Sequence, residues 1–161
     1  MPRSTADPAD GGLCAPRKGQ LPPTVVVEPR LKSHVQKMLA RSEEFRRQCE
    51  ALAAQPQTYV RVRLVLFGLP PGVNAQSEIT RTSEGVLFAQ VQLSLTSNWS
   101  EWIGHEFEHI LEQAEGTRLD DYRDGAGRWE SAPDAFESNR AIAVGRTIRN
   151  QMLYPAVDAN D

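Results

Sequence analysis

Residues 105–109, with the sequence HEFEH, combine three side chains whose types and spacing suit metal chemistry. On a helix, His105 and His109 lie one turn apart on the same face, where two imidazoles can bind one Zn²⁺ at about 2.0–2.1 Å. Glu106 projects about 100° around the helix from His105, so it can accept a proton from a water molecule without binding the metal. The pattern therefore predicts a zinc site with an adjacent general base.

A pattern with three fixed positions also arises by chance, so its surroundings have to support it. The run from Asn98 to Glu115 contains no Pro, and Asn98 with Glu101 has the spacing of a helix capping box. Gly116 is placed to end that helix. On a helical wheel, an apolar stripe lies nearly opposite the histidines; it consists of Ile103, Phe107, Ile110, Leu111 and Ala114. We therefore expect the histidines to face outward, into a cleft.

A catalytic zinc ion usually has three protein ligands and a water molecule, so the two histidines need a third partner. The longer motif H-E-x-x-H-x-x-G-x-x-H is excluded, because this chain has Glu112 and Glu115 in place of its Gly and last His. We predict Glu137 as the ligand, since it is a charge in an otherwise apolar stripe of the last predicted helix. The alternative is that Glu137 lies in the first turn of that helix, faces solvent and interacts favourably with the helix dipole. The other candidate ligands are Asp120, Asp121, Glu130 and Asp134.

The hydrophobic pattern predicts an α+β fold with an N-terminal helix, a small antiparallel-dominated sheet, the metal-binding helix and a C-terminal helix. Apolar residues recur every three or four positions in the predicted helices and alternate with polar residues in the predicted strands. The predicted helices cover residues 29–55, 98–115 and 131–153, and the predicted strands cover residues 58–67, 77–82 and 86–95. The short run Val25–Val27 fits neither pattern clearly.

The chain has 161 residues, 40% of them hydrophobic, which suffices for one globular domain with its own core. Residues 1–23 are predicted to be a flexible leader, residues 24–155 the domain, and residues 156–161 a C-terminal tail. Cys14 and Cys49 form no disulfide framework and have no Cys or His at zinc-finger spacing.

Charge and hydropathy argue against two classes of partner. The formal net charge is −3 and no basic face stands out, so we expect no nucleic-acid partner. No apolar run approaches the ~18 residues of a membrane span, so we expect a soluble protein without a membrane contact. The first residues lack the apolar segment of a signal peptide. As written the chain is predicted to be cytoplasmic, and a secreted protein whose signal peptide had been removed would look the same.

The HEFEH helix, followed after a loop by a helix carrying Glu137, resembles the zincin metallopeptidases, and among them the gluzincins, which use two His and a distant Glu. The resemblance covers roughly residues 57–153, and the N-E-x-x-S/D pattern usual around the gluzincin third ligand is not reproduced. It implies zinc-dependent hydrolysis of peptide bonds by a metal-activated water, with Glu106 as general base. It also implies that a peptide substrate pairs with an edge strand, for which we predict residues 86–95.

Zincins usually also have a donor for the oxyanion that forms when the carbonyl carbon is attacked. Tyr122 and Arg140 are the candidates here, and the alternative for Arg140 is an ion pair with Glu137 or Asp134 at helical spacing. A second interpretation of the whole chain is an inactive zincin-like domain, which uses zinc for stability or binds a protein partner through its cleft. The small size of the chain favours this second interpretation.

Overall fold

The computed structural model describes residues 19–117 and 137–154, which form four helices and one four-stranded sheet. The elements are β1 (Val25–Val27), α1 (Pro29–Arg41), α2 (Glu43–Ala53), β2 (Thr58–Val65), β3 (Ala75–Arg81), β4 (Leu87–Ser94), α3 (Trp99–Ala114) and α4 (Asn139–Leu153). The predicted α+β class is therefore confirmed. No helix within the described ranges is long and apolar enough to cross a membrane.

Some of the predicted features lie outside the described residues. They are Cys14, most of the leader, the alternative ligands Asp120, Asp121, Glu130 and Asp134, the candidate donor Tyr122, and the C-terminal tail. Within the described part of the leader, Leu21 packs against the core and Pro22 is buried. The packed part of the chain therefore begins before the predicted boundary at residue 24.

The sheet is mixed, with the strand order β1-β2-β4-β3. β2 is parallel to both β1 and β4, and only β3 runs antiparallel to its neighbour β4. The prediction of an antiparallel-dominated sheet is wrong in this detail, because β2 does not pair with the strand that follows it. After β2, the connection over residues 66–74 leads to β3, which lies at the edge of the sheet. The next strand, β4, then lies between β2 and β3.

The prediction that residues 86–95 form an edge strand is also wrong. β4 covers most of that segment and has hydrogen-bonded neighbours on both sides, so its backbone cannot pair with a peptide. The edges of the described sheet are β1 and β3.

One face of the sheet packs against the helices and supplies much of the core. The alternation predicted for β2 and β4 is confirmed, because their apolar positions are buried on that face: Val60, Val62, Leu64, Leu87, Ala89, Val91 and Leu93. Leu66 and Leu95 were expected to continue these rows, but they lie beyond the strand ends and are exposed. α3 packs against β3, β4, α2 and α4, so the residues of HEFEH lie inside the fold.

The single helix predicted over residues 29–55 is interrupted at Ser42. Ser42 has an extended backbone, ends α1 and caps α2, since its Oγ accepts a hydrogen bond of 3.0 Å from the Phe45 amide. The same hydroxyl donates to Gln151 Oε1 on α4 at 2.6 Å. A short polar side chain at this position therefore redirects the chain and connects three helices.

The last helix begins later than predicted. Ser138 is its N-cap and accepts a hydrogen bond of 2.9 Å from the Ala141 amide, so Glu137 precedes the helix. The argument that placed Glu137 in a helical apolar stripe is therefore wrong. The apolar part of that stripe is present, because Ala141 and Ile148 are buried and Val144 and Met152 pack against the core.

Two glycines allow α4 to cross α3 at close range. A Cβ atom on Gly145 would lie 2.8 Å from the Glu101 carbonyl oxygen and 3.2 Å from His105 Cβ. A Cβ atom on Gly104 would clash with the Cδ1 methyl at the end of the Ile148 side chain and would lie in ordinary contact with Cγ1 and Cβ of the same side chain. The helices can therefore accommodate a side chain at Gly104 by moving a rotatable methyl, but at Gly145 the backbones have to separate.

We expect Gly145→Ala to lower the free energy of unfolding by about 1–2 kcal/mol, because overpacking strain outweighs the gain in helix propensity. Gly104→Ala is expected to change it less. Chemical denaturation measures both, and Ala143→Gly on the exposed side of α4 isolates the propensity effect, at about 1 kcal/mol. A Gly145→Ala protein as stable as the wild type would show that the close crossing does not limit the packing.

Candidate metal centre

α3 presents the residues of the predicted motif as the sequence indicated. Asn98 caps the helix by accepting a hydrogen bond from the Glu101 amide, and Gly116 follows with a positive φ of 83°. The predicted orientation of the histidines is only partly correct. Both histidines are largely covered, with 12% of the His109 side chain and 3% of His105 exposed, because α4 lies across this side of α3.

Three side chains from two segments of the chain converge at this crossing. His105 Nε2 lies 3.1 Å from His109 Nε2 and 3.1 Å from Glu137 Oε1, and His109 Nε2 lies 3.6 Å from the same carboxylate oxygen. Glu137 thus contacts both histidines although it lies outside the helix. Within the described residues, these three form a group that could hold a metal ion.

The dimensions of this group fit a zinc ion. Ligands at about 2.0–2.1 Å from a tetrahedral zinc lie about 3.3–3.4 Å from one another. The three separations, 3.1, 3.1 and 3.6 Å, bracket that value. Two imidazoles and one carboxylate are also a donor set that catalytic zinc sites use, with a further position open for water.

The charges of the group favour positive charge at the imidazoles, which a proton or a metal ion can supply. Burial opposes ionisation of Glu137, but the hydrogen bond with His105 and the His109 imidazole 3.6 Å away outweigh it and lower the pKa of Glu137 to about 2. Burial likewise opposes protonation of His109, but the hydrogen bond with Glu112, the Glu137 carboxylate 3.6 Å away and the nearby charge of Glu106 raise the pKa of His109 to about 10. Carboxylates therefore dominate the electrostatics around the two imidazoles.

Residues around the group orient its members. His109 Nδ1 lies 3.2 Å from Glu112 Oε2, a contact that fixes the ring and leaves Nε2 directed at the group. The Trp102 ring lies edge-on to His105, with 5.3 Å between the ring centroids. Glu112 thus contacts a histidine instead of joining the three ligand atoms.

Glu106 is buried beside the group, with 5% of its surface exposed. Its charge acts on His109, yet no donor within residues 19–117 and 137–154 forms a hydrogen bond to its carboxylate. Its oxygens remain able to accept a proton or a hydrogen bond from a ligand.

Arg140 is engaged elsewhere than the sequence indicated. Its NH1 and NH2 atoms contact the two carboxylate oxygens of Glu115 at 2.7 and 3.1 Å, and its Nε contacts Glu108 Oε1. In the described residues the expected ion pair with Glu137 is not formed. Because all three nitrogens of the guanidinium contact carboxylates, the geometry does not favour Arg140 as an oxyanion donor.

Glu108, which the sequence analysis did not identify, is the most deeply buried charge of the motif. It is 0% exposed, and its Oε2 atom accepts hydrogen bonds from Gln48 at 2.7 Å and from Arg47 at 3.1 Å. A signal for this contact is present in the sequence. Gln48 lies in the apolar stripe of α2 beside Phe45, Cys49 and Leu52, where a polar residue needs a buried partner.

Comparisons of the chain with protein-family models, curated proteins and solved structures gave no match. The resemblance to zincins therefore rests on the sequence motif alone.

Glu137→Ala is expected to weaken zinc binding by at least about 10–100-fold, because it removes one of three protein ligands. Zinc affinity can be measured by competition with a chromophoric chelator at a temperature where the variant is folded. Asp134→Ala, three residues earlier in the chain, is the control and should bind zinc like the wild type. Unchanged affinity in Glu137→Ala would transfer the ligand role to another carboxylate.

Proposed function

We propose that the protein is a zinc-dependent peptidase of the zincin type, in which His105, His109 and Glu137 bind the metal and Glu106 is the general base. The observation that carries the proposal is the triangle of His105 Nε2, His109 Nε2 and Glu137 Oε1, with separations of 3.1–3.6 Å. Glu106 supports the proposal because it lies on the same helix as the two histidines and its charge acts on His109.

A zinc ion held by His105, His109 and Glu137 would supply a Lewis acid that polarises a carbonyl group and makes a water molecule more acidic. Glu106 accepts a proton from the attacking water as its oxygen bonds to the carbonyl carbon. Glu106 then delivers that proton to the departing amine nitrogen as the C–N bond breaks. The Glu112 contact keeps the His109 ring oriented throughout.

The outer edge of β3 is the proposed place for the peptide substrate, in place of residues 86–95. No strand in the described part of the chain pairs with this edge, and β3 packs against α3, which carries Glu106 and both histidines. An extended peptide that adds to β3 through backbone hydrogen bonds would lie at the sheet edge next to α3.

The second candidate is an inactive domain that uses zinc to hold α3 and α4 together. The burial of His105 favours it, because the metal group then lies partly inside the helix crossing. In this case zinc raises stability by mass action, but no peptide is hydrolysed.

The test is cleavage of an unbiased peptide pool by the full chain, followed by mass spectrometry. We expect cleavage products with the zinc-loaded protein, loss of these products after chelation, and their return when one equivalent of zinc is added. A protein that binds zinc but cleaves nothing, even with residues 1–18 removed, would contradict the peptidase proposal and favour the zinc-stabilised domain.

A further inference from the structure

Glu137 depends on the first turn of α4 for its position. It immediately precedes the N-cap Ser138, and the residues before it lie outside the described part of the chain. The Ser138 hydroxyl fixes the start of the helix through the Ala141 amide at 2.9 Å. The placement of this first turn against α3 therefore decides whether the Glu137 carboxylate reaches the two histidines.

Arg140 is the residue of this first turn that holds it against α3. It lies one turn beyond Glu137, and its guanidinium contacts Glu108 in the middle of α3 and Glu115 at its C-terminal end. The contact with Glu115 is solvent-exposed, with 43% of that side chain accessible, whereas Glu108 is 0% exposed. A charge-assisted hydrogen bond to a buried carboxylate restricts geometry more strongly than an ion pair between two exposed side chains.

Glu108 is itself held in one place. Its Oε1 atom contacts Arg140, and its Oε2 atom accepts from Gln48 and Arg47 of α2. Gln48 also donates to the Gly104 carbonyl of α3 at 2.7 Å. One side chain of α2 therefore contacts both the α3 backbone at Gly104 and the Glu108 side chain. Because each oxygen of Glu108 has a partner, its carboxylate provides a fixed point between α2, α3 and α4.

We propose that Glu108, acting through Arg140, is a positioning residue for the metal ligand Glu137. Glu108 lies on α3 between His105 and His109, so one rigid helix carries both histidine ligands and the carboxylate that places the third ligand. The inference rests on the proposed metal centre, and it assigns a role to the variable position before the last His of HEFEH.

A purely structural ion pair would make a different prediction. The middle of α4 is already packed against α3 at Gly145 and Ile148, and Arg149 forms a second interhelical ion pair with Glu101 at 3.1 Å. Loss of a structural contact would lower stability but leave the zinc affinity of the folded protein unchanged. Loss of a positioning contact would lower the zinc affinity specifically through Glu137.

The experiment compares Glu108→Gln and Arg140→Gln with the matched control Arg149→Gln, which removes the other ion pair between the same helices. Zinc affinity is measured by chelator competition, and the Co²⁺-loaded proteins are compared by visible absorption. We expect Glu108→Gln and Arg140→Gln each to weaken zinc binding by about 10–100-fold and to change the Co²⁺ spectrum. Arg149→Gln is expected to change neither.

The same measurements in a Glu137→Ala background test whether the loss of zinc affinity in Glu108→Gln acts through Glu137. If Glu108 acts through Glu137, the double variant Glu108→Gln/Glu137→Ala binds zinc no more weakly than Glu137→Ala alone. A further tenfold loss in the double variant would overturn the proposal, since it would show a general effect of charge or packing. If Glu108→Gln does not fold, Arg140→Gln carries the test, because 42% of the Arg140 side chain is exposed.

Zinc affinity within about twofold of the wild type in folded Arg140→Gln would also overturn the positioning role. A wild-type protein that binds no zinc would instead contradict the proposed metal centre itself. The two failures are therefore distinguishable without any activity assay.

Discussion

Glu106→Gln is expected to lower the rate of zinc-dependent peptide cleavage by at least about 10²–10⁴-fold, the usual contribution of a general base. The amide of Gln has nearly the shape of the carboxylate but cannot accept the proton of the attacking water. Zinc content should stay near that of the wild type, because the three ligand atoms come from His105, His109 and Glu137. Steady-state cleavage of one peptide identified from the pool, together with metal analysis of the same sample, measures both quantities.

Glu101→Gln is a suitable control for this variant. Glu101 lies on the same helix, pairs with Arg149 and is not one of the three candidate ligands, so both cleavage and zinc content should be retained. Two results would contradict the role assigned to Glu106. Cleavage at the wild-type rate would mean that another group accepts the proton, and loss of zinc would mean that Glu106 is a ligand.

The features that the sequence predicted correctly depend on local spacing. The i, i+4 relation of His105 and His109, the cap at Asn98 and the positive φ of Gly116 are each determined within a few residues of the chain. The alternation in β2 and β4 likewise follows from the two-residue period of a strand that covers a core.

The error in the predicted sheet arose because strands pair between distant segments of the chain. Strand alternation states which residues face the core but not which strand lies alongside, so the sequence did not reveal that β4 enters between β2 and β3. Ser42 carried a readable signal, because a Ser followed by Glu43 and Glu44 is a common helix start. The continuous apolar pattern on both sides of it concealed the break.

Glu137 shows how a residue can be identified by an incorrect argument. The sequence analysis placed it in an apolar helical stripe, but it precedes α4 and meets the histidines through a close helix crossing. That crossing depends on Gly145 and on the Glu108–Arg140 contact. A single sequence shows that residue 145 is a glycine, but it does not show that another helix lies close to it. The ion pair between residues 108 and 140 cannot be recognised from the sequence either.

His105→Ala and His109→Ala are each expected to lose most of the bound zinc, because each leaves only two protein ligands for an ion that usually needs three. The metal content of the purified proteins after dialysis, measured per chain, should fall from about one zinc ion to a small fraction of that. His105→Ala should also lose stability, since it leaves a cavity at a position that is 3% exposed, next to Trp102 and Gly145.

His34→Ala provides the matched control, because His34 is the other histidine of the chain and lies outside the metal group. Its Nε2 atom forms a hydrogen bond of 2.8 Å with Ser100 Oγ, and its ring lies edge-on to Trp99 at the start of α3. The variant should therefore lose some stability and keep its zinc, which separates a general effect on α3 from the loss of a ligand. Unchanged zinc content in both His105→Ala and His109→Ala would contradict the metal centre, and the peptidase proposal would fail with it.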